Sequence, residues 1–179
     1  DSLARQHLLL SQSMNPPTHP VIDLIRKRAR EKSKPLHRND GYKLGLAIEG
    51  GGMRGVISAG MVAGLELLNL ADSFDVVCGT SAGAVNAAYF ISRQAVYGTT
   101  IYYEDINNRK FIDVRRFVGS RPIMSLDFLL NHIANEVKYL DCDKIISSPI
   151  PLKVVATSLP NYQSVTLEGF HSRAEILRA

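Results

Sequence analysis

Runs of apolar residues alternate with helix-like patterns through the middle of the chain. The nearly continuous apolar stretch at residues 43–48 predicts a strand covered on both faces, and a helical pattern follows over residues 56–70. Residues 74–78 predict a second strand and residues 82–92 a second helix. A strand, helix, strand order is a βαβ crossover, which implies parallel strands and therefore an α/β fold.

The first of these predicted helices has an apolar stripe of large side chains. Its members recur at helical spacing and are Ile57, Met61, Leu65 and Leu68. Two small residues, Gly60 and Gly64, lie on the same helix and are expected to let it approach the sheet closely. We therefore expect this helix to be one of the elements that cover the sheet.

The second half of the chain predicts more helix and two further strands. Residues 93–147 predict mainly helix and loop, with an amphipathic segment that begins near Ile123 and runs past Val137. Strands are predicted at residues 152–157 and 164–167. The last eight residues read as a helix without a terminator, and the first residue is Asp1 rather than Met, so we expect a fragment cut at its C-terminal side.

The first 42 residues predict a lead-in that contains one basic amphipathic helix. Residues 1–20 carry a Pro-Pro pair and no sustained period, whereas residues 21–34 place apolar side chains on one helical face. The surrounding cations are Arg26, Lys27, Arg28, Arg30, Lys32 and Lys34. Two interpretations stay open: a solvated flanking helix, or a peripheral contact with an anionic membrane surface through Arg26, Lys27, Arg28 and Arg30. No aromatic residue is interleaved with these cations, so we expect no nucleic-acid partner.

Composition limits the class of protein. The 179 residues suffice for one domain with a single core, and 45% hydrophobic residues is ordinary for a globular α/β protein. No apolar run approaches the roughly 18 residues that cross a bilayer, and Leu8-Leu9-Leu10 is too short for a signal peptide. Cys78 and Cys142 form no CxxC pair, so neither a disulfide framework nor a zinc site is indicated. We expect a cytoplasmic or peripheral membrane location.

Two glycine-rich turns follow the first two predicted strands. The second turn consists of Gly79, Thr80, Ser81, Ala82 and Gly83. A serine with glycines at both second neighbours is what a nucleophile elbow requires, because a side chain at either flank would collide in the cramped strand-to-helix turn. The elbow would project the Ser81 hydroxyl above the sheet edge, with the positive end of the next helix near the reacting centre.

The first turn is a candidate oxyanion hole. It consists of Gly50, Gly51, Gly52, Met53, Arg54 and Gly55. Acyl transfer by a serine needs donors for the oxyanion, and adjacent glycines offer backbone N–H groups that no side chain blocks. For the Arg54 side chain two roles stay open, binding a lipid phosphate or pairing with a nearby carboxylate to fix the loop.

Two alternative interpretations use the same residues differently. Gly50-x-Gly52-x-x-Gly55 matches the dinucleotide fingerprint, but Asp75 falls at the start of the second strand, where that fingerprint needs an acidic residue at the end. A phosphate-binding P-loop is excluded because no Lys-Ser or Lys-Thr follows Gly55.

An alternative catalytic arrangement is a triad in which His171 is the base of Ser81 and Asp141 or Asp143 orients it. The other histidines, His7, His19, His37 and His132, show no metal-ligand spacing.

The two turns together resemble the oxyanion and nucleophile motifs of the patatin-like phospholipase family. Fainter similarity continues through residues 126–129, 148–157 and 174–179, so the resemblance covers about residues 43–179. It implies the N-terminal part of a three-layer α/β/α domain with a mainly parallel central sheet, incomplete at the C-terminus. Residues 1–42 are then the lead-in.

The resemblance also implies an activity. A lipid acyl hydrolase of this family uses a Ser-Asp dyad through an acyl-enzyme, acts on a phospholipid or another lipid ester, and needs no metal or cofactor. The family's aspartate lies in an Asp-Gly turn, and the Asp-Gly of this chain, Asp40-Gly41, precedes the first strand and is not assigned that role. We therefore expect the general base beyond Ala179, and little activity from these residues alone. A catalytically inactive, lipid-binding relative is the remaining alternative.

Overall fold

Four strands form one sheet in the order β1-β2-β3-β4, within a computed structural model that describes residues 19–119, 122–159 and 161–179. The strands are β1 (Gly45–Ile48), β2 (Val76–Gly79), β3 (Leu152–Ser158) and β4 (Gln163–Leu167). The first three run parallel, and β4 pairs antiparallel with β3. The predicted α/β class with a mainly parallel sheet is confirmed.

Short helices connect these strands. The α-helices are α1 (Pro20–Arg30), α2 (Gly55–Leu67), α3 (Ala82–Ile91), α4 (Ala95–Thr99), α5 (Cys142–Ile146) and α6 (Arg173–Arg178). Turns of 3₁₀ helix occupy Gly52–Arg54, Ala71–Ser73 and Val114–Val118, and π-helices occupy Ile101–Asp105 and Phe128–Val137. The predicted amphipathic segment beginning near Ile123 therefore contains a helix, and that helix is a π-helix.

One face of the sheet lies in the core. Helix α3 packs across β1, β2 and β3, and the buried strand residues Ile48, Val77 and Val154 contribute to the hydrophobic core. On the other face Ala47 is exposed and its registered neighbours Cys78 and Lys153 are only half-buried. The described residues thus cover this second face only partly. The continuous apolar pattern of the first strand had predicted that both faces are covered.

Helix α2 buries a different face from the one predicted. Of the predicted stripe, Ile57, Met61 and Leu68 are 61%, 67% and 68% exposed and only Leu65 packs against the core, half-buried, whereas Ala59 and Val62 are buried. The reason is that α2 packs on α3 and α4 through small side chains, which allow a close approach between helices. A Cβ at Gly60 or Gly64 would meet no atom within 4 Å, so the prediction that these glycines permit close packing on the sheet is wrong.

Helix α1 is anchored by a buried arginine. The Arg28 side chain is fully buried, and its Nε and Nη2 donate to Asp40 at 2.8 and 2.9 Å. Its Nη1 donates to Asp75 Oδ2 and to the Ser73 carbonyl, both at 2.7 Å, and Nη2 also donates to the Tyr42 carbonyl at 2.8 Å. The prediction that Arg28 contacts a membrane surface is therefore wrong, because its charge is enclosed by the protein.

The remaining predictions for the basic helix differ in outcome. The helix ends at Arg30 rather than at residue 34, and Arg26, Lys27 and Arg30 are exposed. A membrane contact by these three residues stays a prediction. The lead-in at residues 1–18 lies outside the described residues, and the boundary between residues 42 and 43 stays a prediction. None of the helices in the described ranges is long and apolar enough to span a membrane.

Two carboxylates complete this anchor. Arg28 holds the pKa of Asp40 well below its usual range through hydrogen bonds to both oxygens. Burial works against ionisation of Asp75, but hydrogen bonds from Arg38, the Leu44 N–H and Arg28 outweigh it and lower the pKa of Asp75. Because Leu44 and Asp75 directly precede β1 and β2, the anchor ties α1 to the N-terminal ends of both strands.

Candidate active site

The second glycine turn places Ser81 in a strained backbone conformation at the junction of β2 and α3. Ser81 has φ 52° and ψ −128°, a positive φ that non-glycine residues rarely adopt, and it is exposed. A Cβ on Gly83 would overlap the backbone carbonyls of Ile48 and Glu49, and one on Gly79 would overlap the backbone of Gly83 and Ala84. The close contact between β1, β2 and α3 therefore requires glycine on both sides of Ser81.

The first glycine turn lies directly against Ser81. A Cβ on Gly50 would stand 2.7 Å from the Thr80 carbonyl oxygen and 2.9 Å from Ser81 Cβ. Gly51 and Gly52 have φ of +145° and +57°, so the loop follows a path that favours glycine. Within the described part of the chain, the backbone N–H groups of Gly51, Gly52 and Met53 have no hydrogen-bond partner. The structure thus brings the two predicted turns together and leaves donors beside the serine.

A buried polar network holds the end of the first glycine turn in place. Asn86 Nδ2 donates to the Gly55 carbonyl at 2.9 Å and to Ser58 Oγ at 3.1 Å, and Tyr102 donates its hydroxyl proton to Asn86 Oδ1 at 3.0 Å. Burial raises the pKa of Tyr102, so the phenol stays protonated as a donor. The network joins the end of the first glycine turn to α3, which begins directly after Ser81.

Sequence reasoning missed both Asn86 and Tyr102. A signal was present for Asn86, since it is the one polar residue inside the apolar run Ala82–Ile91 and a buried amide needs partners. No comparable signal marks Tyr102, because the chain brings it to Asn86 only through tertiary packing.

Arg54 and Met53 occupy different environments in the loop. Met53 is partly buried against the core, whereas Arg54 is exposed and lies beside Gly51. Arg54 makes no ion pair with any carboxylate among the described residues. The alternative in which a carboxylate fixes this side chain is therefore not observed.

Ser81 opens onto a deep apolar pocket. The pocket has a volume of about 370 Å³ and extends along α3 past Val85 and Ala88, which is about 10 Å from Ser81 at the rise of an α-helix. Its walls also come from β3, from the segment that includes Phe111 and Met124, and from the π-helix at Phe128–Val137. No charged side chain of the described residues lines it. The pocket therefore suits an apolar group more than a charged ligand.

The structure does not bring the alternative triad together. His171 is exposed, and within the described residues its ring makes no hydrogen bond to Asp141 or Asp143. Asp141 instead caps α5 by accepting from the Lys144 N–H and pairs with the Lys144 ammonium at 3.2 Å. In the same part of the chain no carboxylate or imidazole hydrogen-bonds the Ser81 hydroxyl.

Asp75 does not serve the nucleotide interpretation either. Both of its oxygens are engaged by Arg28, Arg38 and the Leu44 N–H, at the opposite end of β2 from the glycine loop.

The histidines form no metal site within the described residues. His132 pairs with Glu136 at 2.7 Å, and His7 lies outside the described residues. The described residues contain no group of three side chains arranged to hold a metal ion.

One comparison with known proteins covers the region that contains the site. A family model described as patatin-like phospholipase matches residues 46–174. An uncharacterized protein of Escherichia coli (strain K12), YjjU, is 34% identical over 95 residues, which cover 53% of this chain and 26% of that protein. The chain thus matches over about a quarter of the length of this relative. No solved structure matches the chain.

Proposed function

Because this chain belongs to the patatin-like phospholipase family, we propose that it is a lipid acyl hydrolase in which Ser81 is the nucleophile. The observation that carries the proposal is the contact between the two glycine turns at the mouth of the apolar pocket. It places a strained, exposed serine, unpaired backbone donors and room for a hydrocarbon chain within one site. A serine hydrolase that acts on lipid esters uses an exposed serine, donors for the oxyanion and an apolar site for the acyl chain.

The proposed reaction proceeds through an acyl-enzyme. A general base, an aspartate as the family resemblance implies, removes the proton of Ser81 while Oγ attacks the ester carbonyl carbon. The N–H groups of Gly51, Gly52 and Met53 hold the negative oxygen of the tetrahedral intermediate. The alcohol leaves with a proton, and water, activated by the same base, hydrolyses the acyl-serine to release the fatty acid.

In this proposal the pocket binds the acyl chain of the substrate and Arg54 binds its headgroup. The acyl chain occupies the uncharged pocket along α3, because its transfer from water into an apolar cavity is favourable. The exposed Arg54 guanidinium, which lacks a carboxylate partner in the described residues, binds a phosphate of the headgroup. A phospholipid is then the preferred substrate over a neutral ester.

Hydrolysis assays of the full-length protein test the proposal. Ser81→Ala is expected to lower fatty-acid release from phospholipid vesicles by at least about 10³-fold, whereas Ser164→Ala on the exposed strand β4 leaves it unchanged. Arg54→Gln is expected to lower phospholipid hydrolysis by roughly tenfold more than hydrolysis of a short neutral ester. Equal rates for the wild type and Ser81→Ala would exclude Ser81 as nucleophile. Lipid binding without any hydrolysis would identify the inactive relative instead.

A further inference from the structure

A protruding segment at the rim of the pocket combines exposed apolar and basic side chains. We define this rim segment as residues 109–118. Val114, Phe117 and Val118 are 72%, 79% and 93% exposed, which is unusual for three large apolar residues so close in sequence. The segment also holds four cations, Arg109, Lys110, Arg115 and Arg116, against one carboxylate, Asp113, a net charge of +3.

The rim segment is rooted in the wall of the candidate active site. An isolated antiparallel bridge joins Ile112 to Met124, and the Ser125 N–H donates to the Phe111 carbonyl at 2.8 Å. Phe111 and Met124 both line the pocket, and Met124 Cε lies 3.4 Å from the position of a Cβ on Gly52. The rim segment is therefore continuous with the pocket wall near Gly52, so whatever binds its exposed side chains is held close to the pocket.

The charges of the segment are available to a partner. Arg109 and Lys110 are exposed and make no ion pair within the described residues, while the Arg116 guanidinium donates to their carbonyls. Only Arg115 is neutralised locally, by Asp113 at 2.8 Å. Cations that surround exposed apolar residues match the interface of an anionic bilayer, where the cations meet headgroup phosphates and the apolar side chains enter the acyl boundary.

The basic helix α1 lies at the opposite end of the sheet from Ser81, so it is not placed to bring the pocket to a membrane. Its anchor Arg28 binds Asp75 just before β2, whereas Ser81 follows the other end of the same strand. Four residues of strand separate the two ends by roughly 13 Å. A membrane held by α1 would thus lie away from the pocket mouth, and one held by the rim segment would lie beside it.

We propose that the rim segment docks this protein on anionic lipid bilayers and so presents the pocket mouth to membrane lipids. The proposal deepens and rests on the proposed function, since docking serves a lipid acyl hydrolase. Val114, Phe117 and Val118 insert at the headgroup boundary, and the exposed Arg109 and Lys110 hold anionic headgroups.

Co-sedimentation of the full-length protein with vesicles tests the docking proposal. The vesicles contain either phosphatidylcholine alone or phosphatidylcholine with phosphatidylglycerol. The wild type is expected to prefer the anionic vesicles, and Arg109→Gln with Lys110→Gln to lower binding to them by about fivefold for each cation removed. Phe117→Ser with Val118→Ser is expected to weaken binding to anionic vesicles by roughly tenfold or more.

Matched variants at the far end of the sheet provide the controls. Arg26→Gln with Lys27→Gln removes two exposed cations from α1, and Leu67→Ser with Leu68→Ser removes two exposed apolar residues near the end of α2. Both double variants are expected to bind vesicles within twofold of the wild type. Rim variants that bind as well as the wild type, or α1 variants that lose as much, would overturn the proposal.

Two parallel measurements distinguish membrane docking from a protein contact and from catalysis. If Phe117→Ser with Val118→Ser changes the oligomeric state in gel filtration but not vesicle binding, the rim segment contacts protein and the docking proposal fails. Hydrolysis of a short ester dissolved as monomers needs no bilayer, so it reports on the proposed function alone. If the protein hydrolyses the short ester but the rim variants bind vesicles as well as the wild type, only the docking proposal fails. If the rim variants lose vesicle binding as expected but the protein hydrolyses no ester, docking is upheld and the proposed enzyme function fails.

Discussion

The backbone at Ser81 shows how single residues determine this site. A positive φ at a serine persists only where the surrounding packing requires it, and here Gly79 and Gly83 make room for the turn between β1, β2 and α3. The glycines on both sides allowed the sequence to predict the turn. The polar Asn86 inside an apolar run was a signal in the sequence, but its partner Tyr102 was not predictable, because the two helices that carry them meet only in the folded chain.

Gly83 offers a test at the residue scale. Gly83→Ala places a Cβ against two backbone carbonyls that cannot move without separating β1 from α3, so we expect loss of Ser81 reactivity and of stability. Gly60→Ala is the matched control, since its Cβ meets nothing within 4 Å and alanine stabilises a helix interior by up to about 1 kcal/mol. Urea denaturation and ester hydrolysis measure both effects. Full activity in Gly83→Ala would contradict the described packing.

At the scale of elements, the sequence located the strands and helices well and their buried faces less well. The strand at residues 74–78 is observed at Val76–Gly79, and the helix at residues 56–70 at Gly55–Leu67. The stripe on α2 was assigned to the wrong side because large apolar residues were assumed to be buried. The helix instead packs through Ala59 and Ala63, and hydropathy alone does not show which of two apolar faces has the closer neighbour.

The anchor of α1 gives a prediction at this scale. Arg28→Met leaves Asp40 without its main counter-charge and Asp75 with Arg38 alone, so we expect the free energy of unfolding to fall by about 3 kcal/mol or more at pH 7. Arg26→Met, on the exposed side of the same helix, is expected to change it by less than about 0.5 kcal/mol. Urea denaturation of both full-length variants measures the difference, and similar losses in the two would contradict a structural role for Arg28.

The same anchor predicts a pH dependence. The pKa values of Asp40 and Asp75 are lower in the folded chain than the unfolded value of about 3.9, so their contribution to stability is full above that value. It is lost as the pH falls through the folded-state pKa values. The stability difference between the wild type and Arg28→Met should therefore narrow below about pH 4, and a difference that widens on acidification would contradict this account.

At the scale of the whole molecule, the two ends of the parallel strands carry different parts of the fold. Their N-terminal ends carry the anchored helix α1, and their C-terminal ends carry both glycine turns, the pocket and the rim segment. The pattern of strands and glycine turns was sufficient to predict that the two turns lie at the same end of the sheet. The pocket was not predictable, because its walls come from six separate parts of the chain, between Gly52 and Ala179.

The pocket gives the prediction at this scale. Ala88 is buried and lines the pocket about two helical turns beyond Ser81, so Ala88→Leu shortens the space for an acyl chain. We expect roughly tenfold slower hydrolysis of long-chain esters and little change for a four-carbon ester. Ala174→Leu, at an exposed position on α6, is the control. Equal effects of Ala88→Leu on short and long chains would show that the acyl chain binds elsewhere.

Identification of the residue that a serine-directed fluorophosphonate modifies tests the central claim most directly. The reagent forms a covalent adduct only with an activated serine, and mass spectrometry of the digested full-length protein locates the adduct. We predict a single adduct on Ser81, lost in Ser81→Ala and retained in Ser164→Ala. An unmodified protein, or an adduct that persists in Ser81→Ala, would contradict the assignment of Ser81 as the nucleophile of a lipid acyl hydrolase.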